Sequence, residues 1–239
     1  MSRSALALVP SSIQTAHEVI KPYIHRTPIF TSSSLSDSLP GKNTLYFKAE
    51  NLQKCGAFKF RGASYNLECL TKDELSKGVC THSSVRSYGA EITFCEPNAP
   101  ARAAMLATVQ ERTGATFIPP YDAVNTILGQ GTALLELLEQ VPEPLAAVVA
   151  PVGGGGLLAG TALAAEGSGV RVFGAEPAGA DDCAQGLKEG KRREFVDADT
   201  IADGLRTPVG QINFPIIQEK VEKVIVVSDE MRCGFYGKD

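Results

Sequence analysis

Two short segments hold residues that could do chemistry together. The first is Lys59, set between Phe58 and Phe60 in a stretch of small residues that leads into a helix. Apolar neighbours and a nearby helix N-terminus both push an amine toward its neutral form, which can attack an aldehyde and form a Schiff base. For a lysine between two aromatics in general, a snorkelling surface side chain is the commoner role. The second segment is Gly153–Gly156, which follows the apolar run Leu145–Val152 and precedes the small-residue stretch Leu157–Ala165. Consecutive glycine N–H groups can converge on one point, and a helix N-terminus adds positive charge there, so an anion, most often a phosphate, is the natural occupant. The Gly-Lys-Ser/Thr ending of a P-loop is absent, which excludes the usual nucleotide triphosphatase. Two other readings of the loop stay open. Gly154, Gly156 and Ala159 satisfy G-x-G-x-x-A and Glu176 ends the next strand, as in a dinucleotide-binding oxidoreductase. A tight turn without a ligand is the third.

Strands and helices must alternate to bring these segments together. Apolar spacing at Ile13, Ala16, Ile20, Tyr23 and Ile24 predicts a first helix capped by Ser11 or Ser12, and Leu35–Leu39 a short second one. Leu45–Glu50 and Val79–Ser83 read as strands, and Gly56–Leu70 as a loop entering a helix. Ala101–Arg112 is a helix ended by Gly114, Thr116–Ile118 a brief strand, and Gly131–Gln140 a helix with a leucine face. Leu145–Val152 is apolar throughout, as a parallel strand buried on both faces would be. Val170–Ala175 and Lys223–Val227 read as further strands. The alternation predicts an α/β fold with a mainly parallel sheet.

Composition bounds the partners. A chain of 239 residues, 44% hydrophobic, suits one large domain or two small ones. A net charge of -4, with Lys191–Arg193 as its longest basic run, gives no nucleic-acid footprint. No apolar run reaches membrane-spanning length, and Ala5–Val9 is too short for a signal-peptide core. Six scattered cysteines without a CxxC pair, and three histidines, fit neither a zinc site nor a disulfide framework, so reduced cytoplasm is the expected location.

The words around Lys59 carry a stronger signal. Gln53-Lys54-Cys55-Gly56-Ala57-Phe58-Lys59-Phe60-Arg61-Gly62-Ala63 resembles the cofactor-lysine motif of fold-type II pyridoxal-phosphate enzymes, and most closely that of the serine racemase/threonine dehydratase family. The same family is matched, in order, by Thr27-Pro28 with Thr31-Ser32-Ser33, Gly129-Gln130-Gly131-Thr132, Val152–Leu157, Glu176-Pro177 with Asp181-Asp182-Cys183, and Thr200-Ile201-Ala202-Asp203-Gly204. The resemblance runs from about residue 12 to about residue 230. It implies that Lys59 carries pyridoxal 5'-phosphate and serves as acid/base on one face of the substrate Cα. Gly153, Gly154, Gly155 and Gly156 would hold the phosphate, and Ser84 would face the other side of Cα. It further implies Mg2+ or Ca2+ at Glu176, the Ala180 carbonyl and Asp182, a nucleotide effector near Ser32, Ser33 and Lys54, serine or threonine as substrate, and a homodimer.

The chain departs from the family pattern at three places. After Ser83-Ser84 the family's Gly-Asn-His is replaced by Val85-Arg86-Ser87. Tyr88-Gly89-Ala90 then follows at once, where the family has roughly 35 further residues, about one βαβ unit. The tail Cys233–Asp239 is unlike the family, whose late Ser-Gly-Gly-Asn motif has no counterpart. The expected organisation is a large cofactor domain of residues 1–76 and 121–239, incomplete at its C-terminal part, and a reduced small domain of residues 77–120. A remnant that binds cofactor weakly, or pairs with a full-length relative, is the competing expectation.

Overall fold

A long helix whose face carries two glycines organises the molecule. In the computed structural model, which describes residues 6–82, 90–96 and 99–230, helix α6 (Val124–Gln140) lies between α3 (Lys59–Cys69) and α7 (Gly156–Ala165). A Cβ on Gly129 would stand 2.7 Å from the Arg61 carbonyl oxygen, and one on Gly131 would stand 2.6 Å from the Gly160 carbonyl oxygen. Bare glycine at those positions is what lets three helix backbones approach so closely. Helix α1 (Pro10–Ile20) packs across all three, burying Ile13, Ala16 and Ile20 completely.

Three strands, β5 (Ala147–Pro151), β6 (Arg171–Pro177) and β7 (Lys223–Val227), form a parallel sheet in the order β5-β6-β7. Its inner face, with Ala150, Val172 and Val224, joins Leu158, Leu163 of α7 and Ile217 of α9 (Asn213–Lys220) in the main core. Strands β1 (Ile29–Thr31) and β2 (Tyr46–Lys48) form an antiparallel pair, and β3 (Val79–Cys80) runs parallel to β4 (Thr116–Phe117). The fold is α/β with parallel pairing in the β3–β4 and β5–β7 sheets. The remaining helices are α2 (Ser33–Asp37), α4 (Lys72–Ser76), α5 (Ala99–Thr113) and α8 (Asp182–Glu189). Among the described residues, no helix is long and apolar enough to cross a membrane.

Two expectations are corrected. Helix α6 begins at Val124, seven residues before Gly131, because packing against α3 and α7 stabilises a glycine-bearing turn that propensity alone disfavours. Strand β5 is not buried on both faces: Val149 is 58% exposed. It lies at a sheet edge, and the core cluster takes Ala150 from it but not Val149. Ile92 and Phe94 lie exposed.

Candidate active site

Helix α3 opens with Lys59, so the amine rises from the first turn of a helix with Phe58 immediately before it. The side chain is half-buried, and Nζ lies 4.5 Å from the centroid of the Phe58 ring. It makes no hydrogen bond or ion pair with a described residue. Burial lowers the Lys59 pKa from its ordinary 10.5, against a smaller opposing pull from the Asp203 charge. The ammonium is therefore a stability cost that serves reactivity. Between the lowered folded value and 10.5, the unfolded chain binds the extra proton, so stability rises with pH across that window. Lys59→Met is expected to melt above the wild type at neutral pH, with the gap closing as pH approaches 10.5. Melting curves at several pH values check this, and a gap independent of pH would refute it.

Two residues below the amine, Arg61 is wholly buried and fixes the start of α3. Its Nε and Nη2 donate to the two oxygens of Glu50 at 2.7 and 2.8 Å, while Nη1 and Nη2 donate to Glu136 of α6, both at 2.8 Å. Lys48 Nζ donates to the same Glu136 at 2.8 Å and to Gln140 at 2.7 Å. Burial works against the Lys48 charge and lowers its pKa, although Glu136 supports it. Two bases and two acids thus close a buried network that ties α3, α6 and β2 together.

Lys59 lines a narrow cleft together with Gly153–Gly156, Tyr121 and Leu205. The loop follows β5 and enters α7, and Gly155 takes φ +85°, a left-handed conformation open to glycine. A Cβ on Gly154 would sit 2.4 Å from the Tyr121 ring, and one on Gly153 would sit 2.9 Å from Leu205 Cα. None of the four glycine N–H groups donates to a described residue, although Gly153, Gly155 and Gly156 are buried. Buried donors need acceptors, and a phosphate would supply several at once. The residues present therefore fit a phosphorylated aldehyde that reaches from the loop to the amine.

The sequence matches the family described as pyridoxal-phosphate dependent enzymes over residues 20–85 and 83–233. The chain belongs to that family. It is 40% identical to a serine racemase of Oryza sativa, covering 91% of this chain and 74% of that protein. The solved structure of maize serine racemase superposes with a TM-score of 0.88 at 37% identity, covering 96% of this chain and 83% of the other. The serine racemase of Dictyostelium discoideum gives 0.82 at 40% identity, covering 94% and 83%. The family match divides at residues 83–85, where the sequence jumps. The rice alignment runs over 253 positions but 91% of 239 is about 217 residues, so about 36 positions have no residue in this chain.

Of the other residues implied by family resemblance, those that the structure describes do not line the cleft. Ser84 lies outside the described residues. Glu176, at the end of β6, is fully buried, and its carboxylate accepts the N–H groups of Cys183 at 3.0 Å and Ala184 at 2.8 Å. Asp182 is 3% exposed and accepts from Val209 N at 2.8 Å. Burial pushes Glu176 up to about 8 and Asp182 up to about 6, partly offset by those backbone donors. Neither acid makes an ion pair with a described residue. Because both Glu176 oxygens face the α8 N-terminus, the carboxylate is not presented to a ribose, and the dinucleotide reading loses its acid. Ser32 caps α2 through Leu35 N at 3.3 Å, and Lys54 lies 5.7 Å from the Phe60 ring centroid. Ser32, Ser33 and Lys54 make no hydrogen bond to one another.

Sequence reasoning missed Tyr121, Asp122 and Asn213. Asp122 accepts from Gln211 N and Ile212 N, both at 2.9 Å, and Asn213 Nδ2 donates to Tyr121 O and Gly154 O. Pro119-Pro120, a pair that interrupts regular structure just before Tyr121, is the local signal that could have drawn attention there; nothing local flags Asn213.

Proposed function

We propose that the chain is a pyridoxal-phosphate-dependent serine racemase/dehydratase-like protein acting on a small amino acid, serine or threonine. One observation carries the reading: Lys59 and Gly153–Gly156 line the same cleft. The cofactor, when bound, supplies an electron sink for the electron pair left at Cα. Lys59 would hold the aldehyde carbon covalently and move a proton at Cα on one face. The four glycine N–H groups would hold the phosphate, and the Tyr121 ring would narrow the cleft against water. Ser84 is proposed, on resemblance, for the opposite face: inversion needs a second proton carrier there, whereas loss of a β-hydroxyl gives the dehydratase outcome.

The test is direct. Purified protein mixed with pyridoxal 5'-phosphate and borohydride should carry a stable adduct on Lys59, absent in Lys59→Ala. A chain that stays unlabelled overturns cofactor binding. A second reading, a cofactor-holding chain without turnover, is favoured by the roughly 36 aligned positions that have no residue in this chain and by the break in the family match at residues 83–85. Pyruvate from L-serine, or D-serine formation, above the Lys59→Ala control decides between them.

The division into residues 1–76 with 121–239 and residues 77–120 is proposed because the main core cluster draws no member from 77–120. Mg2+ or Ca2+ is proposed at Glu176, the Ala180 carbonyl and Asp182 on the resemblance, since two carboxylates and a carbonyl suit a hard cation. Ca2+ is expected to raise the melting temperature of the wild type and not that of Glu176→Gln; an equal response in both discards the site. A nucleotide effector at Ser32, Ser33 and Lys54 rests on resemblance alone, and ATP titration by calorimetry measures it. A homodimer has the same basis and is read by sedimentation. The cytoplasm is proposed from the unpatterned cysteines, and fractionation locates the chain.

A further inference from the structure

We infer that Asn213 is a positioning residue that sets the orientation of the phosphate-binding loop by holding the Gly154 carbonyl. The inference rests on the cofactor reading above. Asn213 is completely buried at the start of α9, and its Nδ2 donates to Gly154 O at 2.6 Å and to Tyr121 O at 3.2 Å. Gly210 N also donates to Gly154 O, at 3.1 Å. One carbonyl therefore receives two donors from the same side. In a planar trans peptide the C=O and the following N–H point in opposite directions. Pinning the Gly154 oxygen toward Asn213 and Gly210 turns the Gly155 N–H away from those two residues, neither of which lines the cleft that Gly155 lines.

The restraint matters because a glycine loop has little conformational preference of its own. With no side chains, the Gly154–Gly155 peptide can turn over at small steric cost, replacing an inward N–H with an inward carbonyl oxygen that would repel phosphate. Residue 213 can reach that carbonyl because Asp122 caps the preceding backbone at Gln211 and Ile212. The same amide also holds the Tyr121 carbonyl, so a single side chain ties the loop to the residue that flanks it. Asn213 Oδ1 has no partner among the described residues, so a carboxylate in its place forfeits no bond on that side while losing the donor on the other.

The experiment compares pyridoxal 5'-phosphate with pyridoxal, which has the same aldehyde and no phosphate. In Asn213→Asp, affinity for the phosphorylated compound is expected to fall about tenfold, with pyridoxal affinity changed less than twofold. Asn213→Ala, which deletes the donor without adding charge, should show the same selective loss. Equal weakening toward both compounds, or none toward either, overturns the assignment and leaves the cofactor reading intact. Wild-type protein that labels with neither aldehyde overturns the cofactor reading itself. A third measurement needs no variant: on titrating inorganic phosphate into the wild type, the Gly155 amide resonance should move downfield. A resonance that stays still in saturating phosphate also overturns the role given to Asn213.

Discussion

Arg61→Ala is expected to destabilise the chain by about 3–5 kcal/mol, the usual consequence of removing one partner from a buried ion pair. The guanidinium is 0% exposed and forms paired bonds to two carboxylates, so its loss leaves Glu136 with Lys48 as its remaining ion-pair partner among the described residues and Glu50 with the Thr27 hydroxyl. The stranded charges, rather than the lost attraction, make up most of the effect. Although burial opposes the Arg61 charge, hydrogen bonds to Glu136 and Glu50 hold its pKa well above the ordinary value, so the group stays ionised in the folded state. Lysine should not rescue it, because one ammonium cannot address two carboxylates with a planar fork. Urea denaturation of Arg61→Ala, Glu136→Ala and the double variant checks the argument. The double variant should lose less than the sum of the singles; strict additivity would mean the network is not coupled. The functional effect follows from place: Arg61 lies one half-turn from Lys59, so the amine loses its fixed starting point.

Side-chain identity revealed the reacting ends of the site more readily than the machinery that aims them. Lys59 between two phenylalanines and four glycines before a small-residue helix announce themselves locally, because their chemistry depends on residue type and immediate neighbours. The Thr71 to Glu74 capping box at α4 was equally local and passed unread; Thr71 and Glu74 make both reciprocal bonds. The start of α6 could not be read that way. Gly129 and Gly131 look like helix breakers until the Arg61 and Gly160 carbonyls are found against them, and those contacts span long stretches of chain. Asn213 is harder still. Its role depends on a carbonyl 59 residues earlier, and no spacing rule connects the two. Strand β5 failed in the opposite sense: its continuous apolar run reads as doubly buried, while Val149 lies open on an edge strand and only Ala150 is fully taken into the core.

Gly160→Ala adds one carbon and is expected to disturb both the fold and the site. The new Cβ would stand 2.4 Å from Ile127 O, 2.6 Å from Gly131 N and 3.0 Å from Gly131 Cα. All three are backbone atoms of α6 and cannot swing aside like a side chain, so α6 must shift away from α7. Overpacking of this kind costs about 1–3 kcal/mol, occasionally more. The shift cannot stop at α6, because α3 lies against its other side with equally little room: a Cβ on Gly129 would be 2.7 Å from both Arg61 O and Gly62 Cα. Moving α6 therefore moves the helix that begins at Lys59 relative to the helix that begins at Gly156, and those two ends are the walls of the cleft. A cofactor that must touch both should bind more weakly, by more than tenfold, even where the variant stays folded. Gly190→Asn is the contrasting change: it lies at φ +70° after α8 with nothing within 4 Å, and asparagine tolerates that conformation. Its stability and labelling should match the wild type. Should Gly160→Ala also label and melt like the wild type, close contact between α6 and α7 would not be what sets the distance from amine to phosphate loop, and the spacing would have to come from the sheet and the 200–206 segment instead.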